Sequence, residues 1–154
     1  MTTEAWLGAG LLLFASLYLG MGFSLVVLQF PGALATTSSA DFPQRFGDPV
    51  RRAVGFFTVG SLLMVVGAVW LTVLEWDDGT RRLLPLAYLV LAVLATAFTV
   101  VFILPVNRRL YQEIPDQREF SRVLERWIRL NVVRYGFWVL EWAAITGWFV
   151  AVVS

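Results

Sequence analysis

The chain contains no cysteine, no histidine and no lysine. The absence of cysteine excludes disulfides, redox thiols and thiolate nucleophiles. The absence of histidine removes imidazole acid–base chemistry and, with cysteine gone too, the usual zinc and haem ligands. A hard-metal site would need clustered carboxylates. The eleven acids fall almost entirely between the apolar runs, so no metal site and no cofactor is expected. Charge of either sign is scarce. Charged residues make up 15% of the chain and the net charge is +1, which gives no general attraction to nucleic acid.

What is present follows from where charge is missing. There is no Asp, Glu, Lys or Arg from Ala5 to Phe30, from Ala53 to Leu74 or from Leu83 to Val106. From Tyr135 onward the only charge is Glu141. A helix needs roughly 20 mostly apolar residues to cross about 30 Å of hydrocarbon, and each stretch is long enough. A water-soluble bundle keeps a polar face on every helix. Here the apolar residues run all the way round, and 58% of the chain is hydrophobic. The expected fold is all-α: an integral membrane four-helix bundle forming one transmembrane domain over 1–154, with spans at about 5–30, 53–74, 83–106 and 132–153. The first span lacks the basic n-region and short apolar core of a signal peptide and is read as a retained helix.

The twelve basic residues, all arginine, are unevenly placed. The loop from Pro31 to Arg52 carries three and the loop from Asn107 to Arg134 carries seven, against two in the short loop from Glu75 to Arg82. The positive-inside rule places the two arginine-rich loops in the cytoplasm of a multi-pass plasma-membrane protein, with both termini outside. Phe30-Pro31-Gly32 is expected to stop the first span. Pro85 suits the first turn of the third, and Pro105 is expected to end or kink it. Trp6, Trp76 and Trp148 fall near outer helix ends, as an aromatic belt requires. The fourth helix begins before its span. Phe120, Val123, Leu124, Trp127, Leu130 and Asn131 share one face, which predicts a cytoplasmic amphipathic extension entering the bilayer near Val132. Alternatively, Ser121 is its N-cap. Gly20 with Ser24, Gly60 with Gly67, and Ala143 with Gly147 have the spacing that lets membrane helices approach closely.

Glu141 is the sharpest candidate for chemistry. A carboxylate near mid-span costs roughly 2.5–3.5 kcal/mol on insertion scales. It must be protonated, paired or facing water. In a binding cavity it is a candidate general acid or base; otherwise it is a neutral carboxyl bonded to another helix. Arg134 and Asn131 lie on the same helical face as Trp138 and Glu141. Arg134 and Glu141 are two turns, about 10 Å, apart, so a substrate, a water chain or a neighbouring side chain is needed to bridge them. Alternatively, Arg134 reaches toward lipid phosphates. Gln29 and Asn107 end the first and third spans at the depth of Asn131 and Arg134. If these four converge, they form a polar floor under an apolar cavity; if not, they pin the bundle. Tyr18, Trp138 and Trp142 are candidate lining residues, a role that competes with simple packing.

The run Leu104-Pro105-Val106-Asn107-Arg108-Arg109-Leu110, followed by Trp127-Ile128-Arg129-Leu130-Asn131-Val132-Val133-Arg134, resembles the anthrone-oxygenase-like family of small four-span membrane proteins. The first span ending in Phe30-Pro31 is also similar. The resemblance implies a role in oxidising anthrones to anthraquinones, the activity of some members of the family. Family members often carry His where this chain has Asn131, so a mechanism resting on that His does not transfer. A base at Glu141 with Arg134 as anion stabiliser would suit an easily deprotonated anthrone.

Several readings stay open at this level, and whether the chain is an enzyme is one of them. The first is an apolar or aromatic small molecule held within the bundle by Glu141, Arg134, Asn131 and Asn107, with Gln29, Tyr18, Trp138 and Trp142 around it. The chemistry would be oxidative or acid–base, without metal; a lipid or isoprenoid isomerase or cyclase would use the same parts. The second is a non-catalytic accessory or scaffold subunit, with a membrane partner protein or a second copy of the chain against it. A pore is less well supported, because no ring of acids is visible. Membrane lipid is a partner in every case.

Overall fold

The computed structural model describes residues 2–79 and 81–153. The helices are α1 (Thr3–Phe23), α2 (Ala33–Thr36), α3 (Asp48–Leu74), α4 (Leu83–Phe98), α5 (Leu104–Leu110) and α6 (Gln117–Val153), and no strand occurs among the described residues. Three π-helical turns extend them: Ser24–Gln29 continues α1, Pro43–Gly47 leads into α3, and Thr99–Ile103 joins α4 to α5. Four continuous helical segments are therefore long and apolar enough to cross a membrane: Thr3–Gln29, Pro43–Leu74, Leu83–Leu110 and Gln117–Val153. They alternate in direction. Both termini and the α3–α4 turn lie at one end, and the arginine-rich loops lie at the other.

The helices outrun the charge-free stretches that reveal them, because a helix need not stop where hydrocarbon does. Asp48, Arg51 and Arg52 lie inside α3, where Asp48 favours the helix N-terminus and pairs with Arg51 at 2.6 Å. At the other loop, Asp116 rather than Ser121 begins α6. Its Oδ1 accepts from the Arg118 N–H at 2.9 Å, and its carbonyl accepts from the Phe120 N–H. The 37-residue helix that follows is about 55 Å long at 1.5 Å per residue, enough to include the amphipathic extension. Pro105 does not end its span. The π-turn before it winds wider, with the Leu104 N–H reaching back five residues to the Thr99 carbonyl, and this local rewinding accommodates the ring. The first span does stop at Phe30-Pro31-Gly32, where Gly32 takes a φ of 76° that other residues resist.

The four long segments meet along seams spaced by three and four residues. α1 buries Gly8, Leu11, Ala15, Tyr18 and Gly22. α3 buries Gly60, Met64, Gly67 and Leu71, and α4 buries Pro85, Tyr88, Ala92 and Ala95. α6 repeats the rhythm from Phe120 to Trp148. This spacing averages 3.5 residues, the period of a left-handed bundle. Only 33% of the most apolar stretch of Pro43–Leu74 is buried inside, and 22% in each of the other three segments. The exposed Leu, Val and Trp side chains of the outer faces are therefore a lipid-facing coat.

Close approach depends on glycines, although not on every one the spacing suggests. A Cβ on Gly60 would lie 2.8 Å from the Tyr18 hydroxyl oxygen, and one on Gly67 would lie 2.9 Å from Leu11. Gly20 meets nothing, and Gly147 only approaches Leu84. Their place is taken by Gly8, against the Trp148 ring, and Gly22, against Tyr135 and Trp138. Trp148 is accordingly no belt residue. It is fully buried, whereas Trp6 and Trp76 are exposed.

Candidate functional site

The arrangement is built on α6, whose inner stripe carries Trp127, Asn131, Trp138, Glu141 and Trp148, with Arg134 on the same stripe. Asn131 is buried. Its Nδ2 donates to the Trp127 carbonyl at 2.8 Å, and its Oδ1 accepts from Arg134 Nη2 at 2.6 Å. The Arg134 guanidinium lies 4.7 Å from the Trp138 ring centroid, a cation–π contact. Its Nε is buried without a hydrogen-bond partner, and among the described residues it makes no ion pair.

Tyr18 joins this stripe from α1. Its hydroxyl donates to the Phe57 carbonyl at 2.8 Å and lies 3.2 Å from Ser61 Oγ. Its ring meets Trp138 edge-on at 5.3 Å, and Phe57, stacked on Trp138 at 6.2 Å, also meets Tyr18 edge-on at 5.3 Å. Through Trp138, which lies between Arg134 and Glu141 in the helical sequence, an aromatic pair joins α1 to this stripe.

Glu141 is only 2% exposed, and its Oε1 has no hydrogen-bond partner. On α4, which packs against α6, Tyr88 is a buried polar residue. That residue is completely buried, and its hydroxyl also lacks a partner. Nearer the termini, Thr146 Oγ1 and Trp148 Nε1 are likewise buried and unpartnered. A buried polar group left unsatisfied costs about 1–3 kcal/mol. Three such atoms, on Arg134, Glu141 and Trp148, lie along one face of α6.

The other expected residues are placed differently. Asn107 does not face Arg134. Its Oδ1 accepts from Trp127 Nε1 at 2.5 Å, which fixes α5 against α6. Gln29 is exposed and donates to Ser24 Oγ on its own helix at 3.3 Å. Successive helical residues point about 100° apart, and the next one, Phe30, takes the inward position against Trp127. Trp142 is half-buried at the α1–α6 boundary, where its Nε1 donates to Ser16 Oγ at 3.1 Å. Of the four polar residues expected at one depth, only Asn131 and Arg134 meet.

The arginine-rich end holds a second, separate core. Phe30, Phe42 and Phe46 surround Trp127 with ring centroids at 5.3–5.5 Å. The Tyr111 hydroxyl donates to the Gly47 carbonyl at 2.9 Å, and burial pushes its pKa up, so it remains a donor. The Ile114 N–H donates to Ser39 Oγ, and Arg109 pairs with Glu119. Two surface openings lie at this end. One is lined by Gln117, Arg118, Ser121 and Arg122; the other includes Ser39, Tyr111 and Ile114. Neither reaches Glu141. Among the described residues, no three His, Cys, Asp or Glu side chains cluster.

Sequence reading missed Tyr88, Thr146, Trp148 and the partner of Trp127. Tyr88 carried a usable signal: it is the lone hydroxyl on the 85, 88, 92, 95 seam of a charge-free span. The Trp127–Asn107 bond carried none, because it joins different helices.

Four apolar helices around a buried polar stripe define a multi-pass helical membrane protein. More particularly, the chain belongs to the anthrone oxygenase family, whose model matches residues 50–144. The matched region runs from α3 into α6. It includes Tyr88, Asn107, Asn131, Arg134, Trp138 and Glu141 but not Tyr18 or Trp148. No curated protein and no solved structure matches the chain.

Proposed function

We propose that this protein binds a flat, apolar aromatic ketone of the anthrone class inside the bundle and begins its oxidation by removing a proton from carbon. The observation that carries the reading is Glu141: a buried carboxyl without a hydrogen-bond partner, on one stripe with a guanidinium and two aromatic rings. Glu141 takes a proton from the methylene carbon, and the electron pair moves onto the ketone oxygen. The resulting enolate adds dioxygen at that carbon. The peroxide anion recovers the proton from Glu141, and the hydroperoxide loses water to leave a second carbonyl. Arg134, held by Asn131, favours negative charge on the bound molecule. Tyr18 and Trp138 supply apolar faces, and Asn107 acts through Trp127 by holding α6 in place.

The chain would work as a plasma-membrane protein with its arginine-rich loops in the cytoplasm and both termini outside. That orientation rests on the arginine asymmetry. One observation favours a second reading, a non-catalytic subunit of a membrane complex: the two openings at the arginine-rich end are not lined by Glu141.

Native mass spectrometry of the detergent-purified wild type and Glu141→Gln, with solvent extraction and with added anthrone, tests the proposal. Binding of anthrone or of a co-purified aromatic ligand by the wild type, with conversion lost in the variant, is expected. Failure to bind, together with a stably associated partner protein, would establish the second reading instead.

A further inference from the structure

Two buried groups on packed helices, Tyr88 on α4 and Glu141 on α6, present unpartnered polar atoms in the stretch bracketed by the Leu84–Gly147 approach and the Phe98–Phe137 ring pair. Both side chains are at least nine-tenths buried. An acceptor beside Tyr88 Oη and an acidic hydrogen beside Glu141 Oε1 would satisfy both. Arg134 is less suited to the acceptor's position. It is about 10 Å along the helix from Glu141, with one nitrogen committed to Asn131 and its face on Trp138. A neutral hydroxyl also suits this depth better than a cation, since it requires no counter-charge in hydrocarbon.

We propose that Tyr88 is a further catalytic residue of the Glu141 site, donating a hydrogen bond to the ketone oxygen on which negative charge develops as Glu141 removes the carbon-bound proton. The inference rests on the anthrone-type reading above and narrows its substrate class. The molecule must carry a carbonyl conjugated to an acidic C–H, with both ends spanned by Tyr88 and Glu141. In this step the C–H bond breaks, its proton moves to the Glu141 carboxylate and its electron pair becomes the enolate. The Tyr88 proton stays on its oxygen.

The first half of the reaction can be isolated. Without oxygen, deprotonation is reversible, and in D2O the methylene hydrogens of anthrone exchange for deuterium. Exchange is followed by mass spectrometry above the rate in protein-free micelles. Wild type, Tyr88→Phe and Glu141→Gln are compared, with anthrone affinity and Tm measured on each. Loss of one oxyanion donor typically lowers turnover by about 10²–10³-fold. Tyr88→Phe should slow exchange by about that factor at unchanged anthrone affinity. Its Tm should stay the same or rise, because the hydroxyl removed has no internal partner. Exchange by Tyr88→Phe at the wild-type rate, or a fall matched by loss of Tm, would overturn the role of Tyr88 while leaving Glu141 as the base. No exchange by the wild type would overturn the anthrone reading itself and this inference with it.

Discussion

The bundle has two cores, and they treat polar groups in opposite ways. At the arginine-rich end, the tryptophan N–H of Trp127 has Asn107, the Tyr111 hydroxyl has Gly47, and the Ile114 amide has Ser39. Rings pack edge to face around them. In the membrane-embedded core, Tyr88, Glu141, Trp148, Thr146 and one nitrogen of Arg134 are buried without partners. The satisfied core is nearer water, where an unmade hydrogen bond is cheapest to repair. The unsatisfied one is in the middle, where water is least available. Stability alone would select the reverse. The difference separates a clamp that sets the α5–α6 register from a core whose polar groups keep unmet hydrogen-bonding capacity.

The comparison can be broken by substitutions on either side. The largest effect is expected from Glu141→Gln. It should cost about 10²–10⁴-fold in anthrone turnover, the usual contribution of a general base, with little change in Tm because no internal hydrogen bond is lost. A large fall in Tm would instead show Glu141 to be structural. In the clamp, Trp127→Ala should cost about 3–5 kcal/mol of stability, read as an early thermal transition in detergent. An unchanged melt would mean that the aromatic cluster does not hold the helices. Asn107→Leu leaves the Trp127 N–H buried and unpaired, for about 1–3 kcal/mol, again in thermal unfolding.

Arg134→Met, which keeps an unbranched stem but removes the guanidinium's bond to Asn131 and its cation–π contact, should lower stability by about 1–2 kcal/mol. It should also weaken binding of an anionic anthrone analogue more than that of a neutral one, by calorimetric titration. Equal weakening of both would remove Arg134 from the binding role. The smallest effect is expected from Arg51→Ala. The Asp48–Arg51 pair is exposed on both sides, and such pairs contribute no more than about 1 kcal/mol. A larger loss would show that the start of α3 is more tightly coupled to the clamp than its exposure suggests.

Much of the fold was legible in the chain because membranes impose simple rules. Runs without charge mark spans, since a charge in hydrocarbon is costly wherever it falls. The inner stripe of α6 was legible for a related reason. Asn131, Arg134, Trp138 and Glu141 share one helix, and the helical repeat alone places them on one face. The same rule misled where the face is shared but the partner is not. Gly20 has the spacing of a packing residue and packs against nothing, while Gly22 does that work. Trp148 has the position of a belt residue and is buried against Gly8.

The sequence by itself therefore determined the membrane class, the four helices, the arginine-rich end and the companions of Glu141 on its own helix. Each depends on local composition or on the geometry of one continuous helix. Only the tertiary structure decided that Tyr88 is buried without a partner on the helix packed against α6, that Asn107 is committed to Trp127, that Gln29 turns outward and that Tyr18 packs on Trp138. Those pairings depend on how far each helix is rotated about its axis and slid along its neighbour. Rotation and slide are set by the summed packing of every seam, which no short stretch of chain encodes.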